Sequence, residues 1–255
     1  MKRTLVAAIL VLAFSAGTFG QFDGLNGPVA KVERWGYTTE EKFGNTVEVW
    51  DSHSVETYDA NQNNIESLHY TQTGNIDKRY VRTFDSNGRL IQVDEYNSLE
   101  RLESKKLLRY EGNTEIARLY DGFGNLKSAD DIELDENGNS IRITTYDVDS
   151  GDVAIIGYNT YTSDGNPLST RVYDDKGEIF AAMDWSYDTE GTGYTTTGMG
   201  YLLGSVFMKT ESGTRIIETD KHGNWTEEQS YEHKERFGKT EWVLSHIYRR
   251  KITYR

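Results

Sequence analysis

The heptapeptide Tyr120-Asp-Gly-Phe-Gly-Asn-Leu126 contains the pattern that decides the fold of this chain. An aromatic residue is followed by an acidic one, two variable positions, a glycine, an asparagine and an aliphatic residue. The aspartate side chain can accept hydrogen bonds from backbone amides ahead of it, and the glycine can adopt the positive φ that closes a tight turn. The phrase therefore predicts a hairpin turn between two β-strands.

This phrase recurs at steps of 12 to 14 residues within each run of copies. The segments between the copies are rich in β-branched and aromatic residues, as in Ile141–Tyr146. The repetition predicts an all-β fold, an antiparallel meander of repeated hairpins in an extended, curled or spiral sheet of roughly 12 to 16 strands. The other copies are Phe84–Leu90, Leu134–Asn139, Tyr173–Ile179, the variants Tyr161–Asn166 and Thr219–Trp225, and Tyr58–Asn63, which lacks the glycine.

Residues 1–20 resemble a secretory signal peptide. Lys2 and Arg3 precede an apolar run, and small residues follow it. We expect cleavage between Gly20 and Gln21, and hence an exported protein of the periplasm, the cell surface or the medium. The rest of the chain, 21–255, is predicted to be a single repetitive all-β domain, with a less regular lead-in at 21–40 and the repeats at about 41–255.

Composition narrows the classes of partner. Removing Lys2 and Arg3 from the 28 basic residues leaves 26 against 41 acidic ones, a net charge of −15. Such a surface repels phosphate backbones, so we expect no nucleic-acid partner. The chain has no cysteine, which excludes disulfides, thiolate metal sites and a lipid anchor on an N-terminal cysteine.

A glycine-rich stretch at 191–204 interrupts the repeats. It holds five glycines among fourteen residues. Either a long hairpin loop or a strand that another backbone approaches closely would account for it. We favour the loop.

The repeated phrase resembles the YD repeat of the RHS family of bacterial surface and secreted proteins. The best matches are Tyr120–Leu126, Phe84–Leu90 and Tyr173–Ile179, and the resemblance covers about residues 55–255. It implies export, a repetitive sheet and a role in surface recognition. In large members of the family the repeats enclose a C-terminal toxin that follows an Asp-Pro cleavage motif. Neither feature is present here, so no toxin function is carried over.

No catalytic motif is recognisable, so we expect a non-catalytic protein without cofactor or metal. Asp147-Val-Asp149-Ser-Gly151-Asp152 has alternating oxygen ligands of the kind that Ca²⁺ favours, but it lacks the later ligands of a complete loop. A hairpin corner explains the same residues. The five histidines have no metal-binding spacing.

Aromatic side chains are the candidates for binding. Trp185 and Tyr187 alternate with Met183 on one predicted strand, and Tyr173 ends a neighbouring one. We name Trp185, Tyr187 and Tyr173 as a possible aromatic platform for a glycan or protein, although the core of the sheet would need the same residues. The leading hypothesis is recognition or a structural role at the cell surface or in the periplasm. The alternatives are an outer-membrane β-barrel and a secreted carbohydrate-active enzyme.

Overall fold

A computed structural model describes residues 25–188, 193–202, 205–236 and 239–255. The predicted signal peptide and its expected cleavage point between Gly20 and Gln21 lie outside these ranges. Within them the structure holds no helix of the length and hydropathy that a membrane span needs. The strands are β1 Val29–Lys42, β2 Asn45–Tyr58, β3 Asn64–Tyr70, β4 Ile76–Phe84, β5 Leu90–Asn97, β6 Leu102–Glu111, β7 Thr114–Asp121, β8 Leu126–Leu134, β9 Ser140–Tyr146, β10 Val153–Tyr161, β11 Pro167–Asp174, β12 Ile179–Tyr187, β13 Gly193–Leu202, β14 Ser205–Thr219, β15 Trp225–Arg236 and β16 Lys239–Tyr254.

Each strand pairs with its neighbours in the chain, and β1 also pairs antiparallel with β16, so the sheet is a closed barrel. The antiparallel meander of hairpins is confirmed. The expected extended, curled or spiral sheet is wrong, because the sheet closes on itself. The closing ladder runs from Val29↔Tyr254 to Thr38↔His246 and joins the predicted lead-in to the last strand. Closure removes the two free edges that an open sheet would expose.

The turns have the geometry that the repeated phrase predicts. At the β7–β8 turn, the Gly124 amide donates to the Asp121 carbonyl at 2.9 Å, and Gly124 has a φ of +87°. The Asp121 carboxylate accepts from the amides of Phe123 at 3.0 Å and Asn125 at 2.9 Å. One residue pair therefore sets the turn, the glycine through its backbone and the aspartate through its side chain.

The glycine-rich stretch is a strand over its described part, so the expected loop is wrong there. Residues 193–202 form β13, which pairs with both β12 and β14. A Cβ at Gly198 would lie 2.7 Å from Thr210 Oγ1, which is closer than a side chain allows. Close approach of the adjacent strand explains this glycine.

Among the described residues, the largest fully buried side chains lie where the barrel closes. Val29, Val32 and Asn224 are at most 1 % exposed. The Asn224 side chain accepts from the Asn26 amide at 2.7 Å and donates to the Asn26 carbonyl at 2.9 Å, so it ties the β14–β15 turn to the chain before β1. Burial and hydrogen bonding therefore stabilise the seam between the two ends of the chain.

Candidate ligand-binding interior of the barrel

The register divides the wall into two faces, because cross-strand partners point to the same side. Arg34, Arg250, Tyr58 and Arg82 share one face, and Arg249 lies on the other. Burial raises the pKa of Tyr58 and lowers that of Arg82, whereas the hydrogen bonds that Arg249 donates to carboxylates are the largest cause of its raised pKa. Side chains converge on the concave side of a closed wall, so we assign the face with the buried groups to the interior.

The structure separates the three aromatic residues named from the sequence. Trp185, which is 9 % exposed, and Tyr187 lie on the interior face with Met183, opposite Thr196, Tyr194 and Gly198. Tyr173 points outward, and its ring meets that of Tyr158 edge-on at 5.9 Å between centroids. These residues therefore do not form one continuous platform, and a binding role for any of them stays a prediction.

Tyr187 belongs to a set of tyrosines that end alternate strands at one rim of the barrel. The hydroxyl of each donates to the carbonyl of the first residue of the preceding strand. The three bonds are Tyr110 to Leu90 at 3.0 Å, Tyr161 to Ser140 at 2.9 Å and Tyr187 to Pro167 at 2.8 Å. The aromatic residue of the repeated phrase thus holds successive strands together at this rim, which we call the tyrosine rim.

A concentration of positive charge lies inside the barrel near the tyrosine rim. Arg34 and Arg250 are direct cross-strand partners. Their guanidinium carbons lie 5.6 and 3.8 Å from the centroid of the Trp225 ring, which is 4 % exposed. Arg250 is also buried, and its Nε donates to the Trp225 carbonyl. One indole therefore contacts two cations.

Glu56 supplies negative charge beside these arginines. It accepts a hydrogen bond of 2.8 Å from the Tyr58 hydroxyl, and the charges of Arg34 and Arg250 both act on Tyr58. Arg82 lies on the same interior face. Its side chain donates hydrogen bonds to Asn64 Oδ1 at 2.9 Å and to Ser67 Oγ at 2.8 Å. We call Arg34, Arg82, Arg250, Glu56, Tyr58 and Trp225 the arginine cluster.

A second polar group of the interior is internally satisfied. Glu95 forms an ion pair with Lys78 and accepts from the hydroxyls of Ser104 at 2.8 Å and Tyr80 at 3.3 Å. These bonds hold the pKa of Glu95 down against the burial that acts to raise it. This group therefore balances its own charge.

The outer face carries ion pairs between adjacent strands and one that reaches across β1. Arg249 binds Glu48 at 2.6 Å and Glu227 at 2.9 Å. Further pairs on this face join Arg79 to Glu66 at 2.7 Å, Arg171 to Asp184 at 2.6 Å, and Arg118 to Asp131 at 3.2 Å. Charged groups therefore occupy both faces of the wall.

An open groove of about 650 Å³ is lined in part by Gly213, Tyr231 and Trp242. Trp242 is 43 % exposed and lies against Gly213, where a Cβ would be 3.6 Å from the indole. The His233 ring contacts that of Trp242, with the centroids 3.8 Å apart and the ring planes tilted by 43°. Sequence analysis did not identify Trp242 and His233 as candidates. Both occur in segments that lack the turn phrase, and this is the signal that could have singled them out.

The hairpin corner expected at Asp147–Asp152 is present as a turn. Asp147 Oδ1 accepts from the amides of Asp149 at 3.1 Å and Ser150 at 3.0 Å. Among the residues that the structure describes, no group of three or more histidines and carboxylates is placed to hold a metal ion.

No protein-family model and no curated protein matches the chain. Among solved structures, the chain is similar to a porin-like protein from Bacteroides uniformis at 11 % identity, with a TM-score of 0.42 over 90 % of this chain and 99 % of that one. It is also similar to a porin-like protein from Bacteroides vulgatus at 9 % identity, with a TM-score of 0.27 over 89 % and 98 % of the two chains. In the TcdB2-TccC3-Cdc42 complex, the similarity is 14 % identity with a TM-score of 0.25, over 84 % of this chain and 15 % of that one.

These similarities are too distant to bear on function. The closed sheet itself agrees better with the outer-membrane β-barrel alternative than with an open recognition surface. The choice between a membrane barrel and a barrel in water depends on the chemistry of its faces.

Proposed function

We propose that the chain is an exported β-barrel that binds a ligand in its interior, in the aqueous part of the cell envelope and without chemical turnover. The observation that carries this proposal is the arginine cluster. It gathers three guanidinium groups, one carboxylate and two aromatic rings on the interior face. The sequence predicts a glycan or a protein as the partner. This proposal restricts the partner to a ligand, or a segment of a protein, that enters the barrel.

The outer face supports an aqueous location. A charged side chain facing lipid at the bilayer midplane costs about 2–4 kcal/mol for Arg or Lys. The strands carry Arg79, Arg118, Arg171 and Arg249 on this face, each paired with a carboxylate of a nearby strand. Ion pairs of this kind are common on surfaces that face water, where both partners keep part of their hydration.

The second candidate is an outer-membrane β-barrel. Closure of an even-numbered antiparallel meander of 16 strands favours it, since bacterial outer-membrane barrels share that architecture. Such a barrel needs an apolar outward band, and the ion pairs named above interrupt the outer face.

The two candidates differ in where the mature protein is found. The full chain, expressed with its own N-terminus in a Gram-negative host, should appear in the osmotic-shock fluid. It should stay monodisperse without detergent and have an intact mass that begins at Gln21. Recovery in alkali-washed outer membranes, with detergent needed for extraction, would instead support the second candidate.

A further inference from the structure

The arginine cluster contains a like-charged pair that the fold holds together. Arg34 and Arg250 are directly opposite each other on β1 and β16, an arrangement that is unfavourable between equal charges. Contact with the Trp225 ring offsets part of this repulsion. An indole ring carries no net negative charge, so this contact does not neutralise the charge of Arg34.

Carboxylates lie farther from Arg34 and Arg82 than from the arginines of the outer face. Among the described residues, neither Arg34 nor Arg82 has a carboxylate within the 4.0 Å of an ion pair. The partners of Arg82 are the neutral side chains of Asn64 and Ser67. Burial lowers the pKa of Arg82, and the charge of Glu56 opposes this shift without cancelling it.

Two donors in this cluster are also unsatisfied. Arg34 Nε and Trp225 Nε1 are buried without a hydrogen-bond acceptor. Trp225 is more than nine-tenths buried, and its ring contacts Arg34 directly. A buried polar atom without a partner typically costs about 1–3 kcal/mol. Both atoms are N–H donors, so the missing group is an acceptor.

We propose that the arginine cluster binds an oxyanion, the carboxylate or phosphate group of a small ligand that enters the barrel. Guanidinium groups bind such oxygens through charge-assisted, often bidentate, hydrogen bonds. Arg34, Tyr58 and Arg82 are half-buried, so each keeps part of its surface exposed. This inference rests on the proposed function and names the ligand class for the same interior.

Titration calorimetry of the mature chain with inorganic phosphate and, separately, with glucuronate tests the proposal and distinguishes the two sources of the oxyanion. We expect saturable binding of one of them, weakened about tenfold or more by Arg34→Gln and by Arg82→Gln. Arg109→Gln is the matched control, since Arg109 lies on the outer face with its side chain 68 % exposed. Its affinity should equal that of the wild type.

Thermal unfolding of each variant shows whether it is folded, so a loss of affinity in a stable variant supports the site. Two results would overturn the inference: no binding of either anion by the folded wild type, or equal weakening by Arg109→Gln. A soluble barrel that binds neither anion refutes this inference and leaves the aqueous location intact. Anion binding by a protein that has to be extracted from membranes would support this inference and contradict the aqueous location.

Discussion

At the scale of single residues, each of these turns is stabilised by a carboxylate that accepts backbone hydrogen bonds and by a glycine that adopts a positive φ. Asp85 Oδ1 accepts from the amides of Asn87 and Arg89, both at 2.9 Å, and Gly88 has a φ of +78°. The hydrogen bonds from Arg89 hold the pKa of Asp85 below its ordinary value. The same pair of roles recurs at Asp121 and Gly124.

Gly88→Ala should therefore lower the free energy of unfolding by about 1 kcal/mol or more, because an alanine in the left-handed region is strained. The matched control is Gly157→Ala in strand β10, where φ is not positive and a Cβ would meet Ile143 at an ordinary 3.9 Å. That change should be neutral or stabilising. Urea unfolding of both variants checks the difference, and equal effects would contradict the turn assignment.

Turn residues are the part of this molecule that sequence predicts well. The phrase at 120–126 contains all the groups that its own turn uses, so nothing distant is needed to recognise it. The arginine cluster is the opposite case. Arg34 and Arg250 meet only through the β1–β16 ladder, and their separation in the chain hides this contact.

At the scale of elements, the aromatic residue of the phrase has two uses that alternate from strand to strand. Tyr58, Phe84 and Tyr110, each 26 residues after the one before, face the interior at the tyrosine rim. Tyr70 and Tyr96, also 26 residues apart, face outward at the other end. The structural repeat is therefore a pair of strands, and a step of 12 to 14 residues covers half of it. An aromatic platform of Trp185, Tyr187 and Tyr173 was expected because the sequence does not reveal this alternation.

The tyrosine rim predicts instability at alkaline pH. Burial raises the pKa of Tyr110 and of Tyr187 to about 12, from an ordinary value of 10.0. Because the folded state favours the neutral phenol, this contribution to stability is complete below pH 10 and is lost as the pH rises from about 10 to about 12.

Urea midpoints of the wild type should therefore fall over that range, with tyrosinate absorbance rising later than in the unfolded chain. Tyr110→Phe/Tyr187→Phe should be less stable at neutral pH by roughly 1 kcal/mol for each lost hydrogen bond, and should lose less stability at high pH. An identical alkaline decline in wild type and variant would show that these two phenols do not control it.

At the scale of the whole molecule, closure depends on contacts between the two ends of the chain. The Arg255 amide donates to the Pro28 carbonyl at 2.9 Å, and the Arg255 guanidinium binds the carbonyls of Tyr58 and Asp59. Arg249 joins β16 to Glu48 of β2, across β1. Local turn signals predict a meander equally well whether its ends meet or not, which explains why the sequence left closure undecided.

A circular permutant distinguishes a closed barrel from an open sheet. Joining Arg255 to Asn26 through about four glycine and serine residues, with new termini in the exposed 71–75 turn, should give a folded protein, because the original ends are already adjacent. Its β-sheet circular dichroism should match the wild type, with stability reduced by no more than the cost of opening one turn. New termini between Lys106 and Leu107, inside β6, should prevent folding and serve as the negative control. In an open spiral the ends would lie far apart and so short a linker could not span them. An aggregated 71–75 permutant alongside a folded wild type would therefore contradict closure.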